Sequence, residues 1–257
     1  MGGDPNSAPS YPTIWTTTTG IPRDPDIVCT SSTKCECLLW KPAKHYGSIK
    51  EFGSNEKNML EKHIGEFNLT GQIAEDVPRF LALFGHHKTA EHCATVAAKA
   101  IELTTIFEDN PCKAEQAGYL HDISVVIPND KKINFARRQL VEVLTEELKH
   151  PMIIHQKLSV VIAKEIFAVS DMEVLSAIGC HTTLKAGATR LDKIVFLADK
   201  IAWDQGGNPP YENKVTEALE ESLDAAVLVY LNYLWETRSQ IQIIHPWFVE
   251  AREELLQ

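Results

Sequence analysis

Residues 89–107 read Thr-Ala-Glu-His-Cys-Ala-Thr-Val-Ala-Ala-Lys-Ala-Ile-Glu-Leu-Thr-Thr-Ile-Phe. Val96, Ala97, Ala100, Ile101 and Thr104 fall at the three- and four-residue steps of a single helix face. The alanines on that face leave room for a second helix to approach closely. Asn110-Pro111 breaks the pattern. Working outward, residues 113–121 start the next helix, which closes on Tyr119-Leu120 just before His121-Asp122.

The same reading continues to the end of the chain. Pro128-Asn129-Asp130 is a turn, and helices are expected over about 135–148, 155–167, 171–181 and 191–203. The third of these opens with Asp171 or Ser170 as N-cap and Glu173 in its first turn. Gly206-Gly207-Asn208-Pro209-Pro210 is a hard break, residues 212–238 read as one long helix, and residues 246–255 form a last short element. Upstream, residues 78–83 continue a helical pattern that starts near 55 with Leu60, Ile64 and Phe67. No alternating strand pattern and no internal repeat stands out, so the predicted architecture is all-α. Residues 1–54 hold most of the early prolines and the Thr16–Thr19 run. They read as an irregular N-terminal extension that Trp15, Leu38, Leu39 and Trp40 pin onto an all-α domain over 55–257.

With 257 residues, 44% hydrophobic and 23% charged, the chain has a globular balance and can build a core without disulfide staples. No run of eighteen apolar residues occurs, and Met1 to Ser10 has neither a basic nor an apolar leader region. A cytoplasmic protein with no membrane span is therefore expected. The cysteines, Cys29, Cys35, Cys37, Cys93, Cys112 and Cys180, form no C-x-x-C pair. They read as scattered reduced thiols, although Cys29, Cys35 and Cys37 together could hold a soft metal. A net charge of −10 without a basic stripe argues against long nucleic acid. It does not argue against a small phosphorylated substrate, because a bound metal supplies local positive charge.

The chemistry gathers around Ala117-Gly118-Tyr119-Leu120-His121-Asp122-Ile123. A buried carboxylate needs a metal or hydrogen-bond partners, and His-Asp at the end of an apolar helix places one beside an imidazole. His92 sits within residues 89–107, His155 follows Ile153-Ile154, His181 closes Ala177-Ile178-Gly179-Cys180, and Asp199 follows Val195-Phe196-Leu197-Ala198. Singly, each histidine reads more readily as a hydrogen-bonded core residue, and Asp199 as a surface partner of Lys200 or Lys193. Jointly, four imidazoles and two carboxylates beside apolar runs make a donor set for one or two divalent transition metals.

The order His…His-Asp…His…His…Asp resembles the HD-domain metallophosphohydrolases. The strings Leu120-His121-Asp122-Ile123, Ile154-His155-Gln156, Ala177-Ile178 with His181-Thr182-Thr183, and Leu197-Ala198-Asp199-Lys200-Ile201 resemble the YqeK-like branch, over about residues 91–234. That resemblance implies an HD-domain helical bundle with a binuclear metal centre, iron favoured and manganese second. It also implies symmetrical cleavage of diadenosine tetraphosphate to two ADP. Carried onto this chain, His92, His121, Asp122 and Asp199 match the basic ligand set, and His155 and His181 the pair for a second metal. Asp122 would be the bridging carboxylate, with His121 and Asp122 at the catalytic centre.

The chain departs from that branch at basic positions. Thr89 stands three residues before His92 where the branch commonly has arginine, Val125 follows His121-Asp122-Ile123-Ser124 in place of a lysine, and Ala202-Trp203-Asp204-Gln205 replaces a Glu-Pro-x-Arg string. Replacement cations are Lys88, Lys131, Lys132, Lys185, Arg190 and Lys200, each of which also reads as a solvated surface residue. Lys200, Trp203 and Lys88 are the candidate substrate-binding residues. Trp203, four residues past Asp199, either walls the pocket, stacks on a base or is plain core. Residues 205–211 are either a cover over the entrance or a helix-to-helix turn. Two alternatives stand beside tetraphosphate cleavage: an HD phosphohydrolase of a nucleoside monophosphate or other small phosphate ester, and a non-catalytic metal-stabilised module.

Overall fold

A computed structural model describes residues 67–203 and 207–257. The expectations for residues 1–54, for Leu60 and Ile64, and for Asp204 to Gly206 lie outside the described residues. Among those described there are eleven α-helices, two short 3-10 turns and no strand, as the sequence predicts. The helices are α1 (Ile73–Leu83), α2 (His87–Phe107), α3 (Pro111–Leu120), α4 (Asn129–Arg138), α5 (Thr145–Lys149), α6 (His155–Glu165), α7 (Met172–Cys180), α8 (Arg190–Ile201), α9 (Glu212–Leu219), α10 (Leu223–Glu236) and α11 (Pro246–Leu255). The 3-10 turns are Ile123–Val126 and Arg238–Gln240.

Helix α2 is the spine. It buries Ala90, Cys93, Val96, Ala97, Ala100, Leu103 and Thr104 and leaves Ile101 half-covered. Its partner α3 opens with Asn110, whose side-chain oxygen accepts from the Cys112 and Lys113 amides, and Pro111 occupies the first helical position. Asn110-Pro111 therefore starts a helix as well as separating two. The α2–α3 approach is close because Gly118 has no side chain: a Cβ there would lie 2.5 Å from Ala97 Cα and 2.8 Å from its nitrogen. Helix α7 packs against α3, α6 and α8, while α8 also packs against α2 and α10. Gly179 faces Val160 across the α6–α7 contact. Phe67, Phe80 and Phe167 close one end of the core with edge-to-face contacts at 5.4–6.5 Å.

Three boundaries differ from the sequence reading. The long helix over 212–238 is two helices, because Ser222 turns extended and its hydroxyl caps the Ala225 amide, starting α10 afresh. The helix expected over 135–148 splits into α4 and α5, with Leu140 left-handed at φ 57° between them. Helix α8 ends at Ile201, so Trp203 lies beyond the helix and the one-turn relation to Asp199 does not hold. The N-cap at Asp171 is as expected, accepting from the Glu173 and Val174 amides.

Candidate metal centre

All six predicted ligand residues meet at one place. His92 comes from α2, His121 and Asp122 follow α3, His155 opens α6, His181 follows α7, and Asp199 lies in the last turn of α8. His92 Nε2 stands 3.1 Å from Asp199 Oδ1, with His121 Nε2 3.5 Å from the same oxygen. Asp122 divides its two oxygens: Oδ2 faces His121 Nε2 at 3.6 Å, while Oδ1 faces His155 Nε2 at 3.1 Å and His181 Nε2 at 3.5 Å. His92, His121 and Asp199 form one group whose donor atoms lie within 4.8 Å of one another, and His121, Asp122 and His181 form another. His121 belongs to both.

Three imidazoles are fixed in orientation by the helix turns that carry them. Nδ1 of His121, His155 and His181 points at the carbonyl oxygens of Gly118, Met152 and Ile178, at 2.8, 2.6 and 2.8 Å. A carbonyl only accepts, so each Nδ1 carries a proton, and a ring in its neutral form presents a lone pair at Nε2. Those lone pairs face inward. His155 Nε2 lies 2.9 Å from His181 Nε2, and His121 Nε2 is buried with no hydrogen-bond partner. Converging lone pairs repel unless something positive sits among them, and such carbonyl-anchored histidines are the arrangement metal ligands adopt. The residues present therefore fit a divalent ion.

The electrostatics agree. Burial disfavours ionised Asp122, but His121 first, and then His155 and His181 beside it, hold it well below the usual carboxylate range. Burial likewise opposes Asp199, and Lys200, His121 and His92 outweigh it. Burial pushes His181 down to about 4, keeping it neutral. Burial works against positive charge on His121 too, yet Asp122 and Asp199 raise it well above its ordinary value. The field thus favours a cation at the centre, with Asp122, Asp199 and His181 in the deprotonated forms that metal binding requires.

Around this cluster are residues to which the sequence reading gave no role. Thr182 Oγ1 lies 3.0 Å from Nε2 of both His155 and His181. Gln156, fully buried, accepts from the Thr182 and Thr183 amides at 3.1 and 3.3 Å and donates to Thr183 Oγ1 at 3.0 Å. It clamps the turn after His181, where Leu184 is held at φ 58°. Ser124 donates to the His155 carbonyl at 2.8 Å. The signal was there in Ile154-His155-Gln156 and His181-Thr182-Thr183, but a buried amide reads as core polar until its partners are seen.

The candidate substrate residues fare unevenly. Lys200 reaches its neighbour after all, with Nζ 2.5 Å from Asp199 Oδ2. Lys88 is exposed on the first turn of α2, four residues before His92 and so on the same side of the helix. Trp203 is half-buried just past the end of α8. Of the other cations, Lys185 is occupied by Ser176 and Asp192, and Arg190 by the Glu108 carbonyl. His245 is structural, its Nδ1 capping the Trp247 amide.

The family model described as HD domain matches residues 89–204, the stretch that carries His92, His121-Asp122, His155, His181 and Asp199. An uncharacterized protein in the pepC 5′ region of Lactococcus lactis subsp. cremoris is 46% identical over 139 residues, covering 54% of this chain and 70% of that one. This chain belongs to the HD-domain family. A symmetrical bis(5′-nucleosyl)-tetraphosphatase of Staphylococcus aureus is 32% identical over 115 residues, 44% of this chain and 58% of that relative, less than two thirds of its length. The crystal structure of a predicted HD superfamily hydrolase involved in NAD metabolism from Clostridium acetobutylicum superposes with a TM-score of 0.64 at 26% identity. That match covers 70% of this chain and 95% of the other. This HD-domain phosphohydrolase thus shares its fold, and not only its motif, with a solved family member.

Proposed function

We propose that this chain is a divalent-metal-dependent phosphohydrolase that cleaves a dinucleoside polyphosphate, diadenosine tetraphosphate first among them, to two ADP. The observation that carries the reading is the meeting of four inward-facing imidazoles and two ionised carboxylates at one point. The kinship with proteins named symmetrical tetraphosphatases supports the substrate.

His92, His121 and Asp199 would hold one ion and His155 and His181 a second, with Asp122 between them, since its two oxygens face the two halves. Iron is the favoured metal and manganese the second choice, in keeping with a nitrogen and oxygen donor set, and we place the protein in the cytoplasm. A bound ion supplies Lewis-acid polarisation of the phosphoryl oxygen and lowers the pKa of water. The chain's own part is orientation and charge. The backbone carbonyls fix the ring tautomers, and His121 and His181, essentially closed to solvent, form the floor of the site. Asp122, whose side chain is 29% exposed, marks the open side where substrate enters. Lys200 partly neutralises Asp199 and would be the first cation for a phosphate oxygen, with Lys88, one turn before His92, and Trp203 as the further candidate contacts.

The test is product analysis. Protein loaded anaerobically with iron(II) or manganese is mixed with diadenosine tetraphosphate and the nucleotides are separated by chromatography. ADP as sole product, lost in His121→Ala, is expected. ATP with AMP would mean asymmetrical cleavage. No product from metal-loaded protein would move the substrate to a nucleoside monophosphate or other small phosphate ester, the reading that Thr89 and Val125 in place of basic residues favour.

A further inference from the structure

Thr182 brings a hydroxyl into the cluster, and its hydrogen bonds do not balance. Its Oγ1 stands 3.0 Å from Nε2 of His155 and 3.0 Å from Nε2 of His181, and those two nitrogens stand 2.9 Å apart. Both rings already commit Nδ1–H to backbone carbonyls, so in their neutral forms both Nε2 atoms are acceptors. A hydroxyl has one proton and satisfies one of them. Among the described residues it has no other hydrogen-bond partner. Once both ring lone pairs are given to a cation, the hydroxyl proton is left without an acceptor from the described chain.

The backbone holds that hydroxyl where it is. Gln156 Oε1, fully buried, accepts from the Thr182 amide at 3.1 Å and the Thr183 amide at 3.3 Å, while Nε2 of the same side chain donates to Thr183 Oγ1 at 3.0 Å. The residue after His155 thus grips the residues after His181, and this fixes the Thr182 side chain beside the two rings. The cluster is also open on this side. The side chains of Asp122 and His155 are 29% and 17% exposed, whereas those of His121 and His181 are 0% and 2%. Thr182 itself is half-buried. A ligand that arrives from solvent meets Thr182, His155 and Asp122 before the deeper rings. Four imidazoles and two carboxylates already make a donor set for divalent metal, so the hydroxyl is surplus as a ligand and available as a donor.

We propose that Thr182 is a substrate-contacting residue of this centre, whose hydroxyl donates to a non-bridging oxygen of the phosphoryl group that enters over His155 and Asp122. The proposal rests on the phosphohydrolase reading for its ligand. An anionic oxygen is the acceptor that the hydroxyl lacks, and a hydrogen bond to a charged oxygen is stronger than one to a neutral partner. A hydroxyl orients the phosphoryl group without a positive charge of its own, which a neighbouring cation would repel.

The test titrates inorganic phosphate calorimetrically into manganese-loaded wild type, Thr182→Val and Thr182→Ser, with the metal affinity of each measured by chelator competition. Valine keeps the shape of the side chain and removes the hydroxyl, whereas serine keeps the hydroxyl. Metal affinity is expected to be the same in all three. Phosphate binding should weaken roughly tenfold to a hundredfold in Thr182→Val and stay within about threefold of wild type in Thr182→Ser. A hydroxyl that only supports the rings would instead lower metal affinity in the valine variant. Metal affinity that falls in Thr182→Val, phosphate binding unchanged in that variant, weakening that serine does not rescue, or no phosphate binding by loaded wild type overturns the proposal. If circular dichroism shows that Thr182→Val does not fold, Thr182→Ala, which also removes the hydroxyl, takes its place. Hydroxyl-dependent phosphate binding without hydrolysis of any dinucleoside polyphosphate would leave this contact standing and remove the proposed substrate. Hydrolysis of diadenosine tetraphosphate by wild type, with phosphate binding unchanged in Thr182→Val, would do the reverse.

Discussion

Three of the four clustered histidines are aimed by their own helical turns, and this sets what single substitutions should do. The Nδ1–carbonyl bonds of His121, His155 and His181 need no partner from elsewhere in the chain, so removing one imidazole leaves its neighbours oriented. His121 belongs to both donor groups, so His121→Ala should remove bound metal and turnover together while the helical circular dichroism stays intact. Full metal content in that variant would sink the assignment of the centre. Gln156 acts at one remove, through the turn that carries His181 and Thr182. Gln156→Leu strips the Thr182 and Thr183 amides of an acceptor and should weaken metal affinity by roughly 10- to 100-fold with the fold preserved, as competition with a fluorescent chelator would read. An affinity equal to wild type would reduce Gln156 to core packing.

At the scale of elements, two contacts decide how the ligands come together. The α2–α3 crossing brings His92 to His121, and it depends on Gly118. A methyl group there meets Ala97 backbone atoms, which cannot give way as a side chain can. Gly118→Ala should therefore cost about 2–3 kcal/mol in a urea titration and lower metal occupancy as the helices part. The second contact ties α5, α6 and α11. Glu147, fully buried, accepts from the Leu144 amide and pairs with Lys157, with His245 3.6 Å away. Burial opposes its charge, but His245, the Leu144 amide and Lys157 lower its pKa below the ordinary 4.5. A depressed folded value means the stabilisation is complete above pH 4.5 and is lost as pH falls through the folded pKa. Glu147→Gln should cost roughly 3 kcal/mol at pH 7 and flatten the acid limb of the stability curve, which urea midpoints from pH 3 to 7 would display.

The elements also show which parts of the fold were legible beforehand. Helix faces such as Val96, Ala97 and Ala100 were readable because burial imposes a period, and Asp171 because a cap has a chemical signature. The clustering of the six candidate ligands was legible because buried polar side chains are costly and these recur beside apolar runs. The break at Ser222 was missed because Leu219, Leu223 and Val227 keep helical spacing across it, although a serine before an apolar run is itself a start signal. Trp203 was misplaced because α8 stops two residues earlier than its apolar pattern suggests. Lys132 illustrates a different limit: a charged residue in the polar string Asn129-Asp130-Lys131-Lys132 gives no sign of burial until α4 turns it inward.

For the whole molecule, the described helices share one core, with the cluster where α2, α3, α6, α7 and α8 converge. Five helices contribute to a ligand set that mutually repels when empty of positive charge, so a bound ion should bind the folded state far better than the unfolded one. Its removal should lower the melting temperature by several degrees, since ligand at 100 times its dissociation constant contributes about 2.7 kcal/mol. The −10 net charge adds to the demand for a cation at this site. Among the described residues no helix is long and apolar enough to cross a membrane.

The most direct test of the account is metal removal and return in a single preparation. Chelator-treated protein, freed of chelator by gel filtration, is assayed on diadenosine tetraphosphate while iron(II) or manganese is added back anaerobically and bound metal is counted by elemental analysis. The account predicts no turnover at zero metal, turnover that rises with occupancy and saturates at no more than two ions per chain, and neither binding nor turnover in His121→Ala. Hydrolysis that persists in metal-free protein, or that survives the loss of His121, would contradict it.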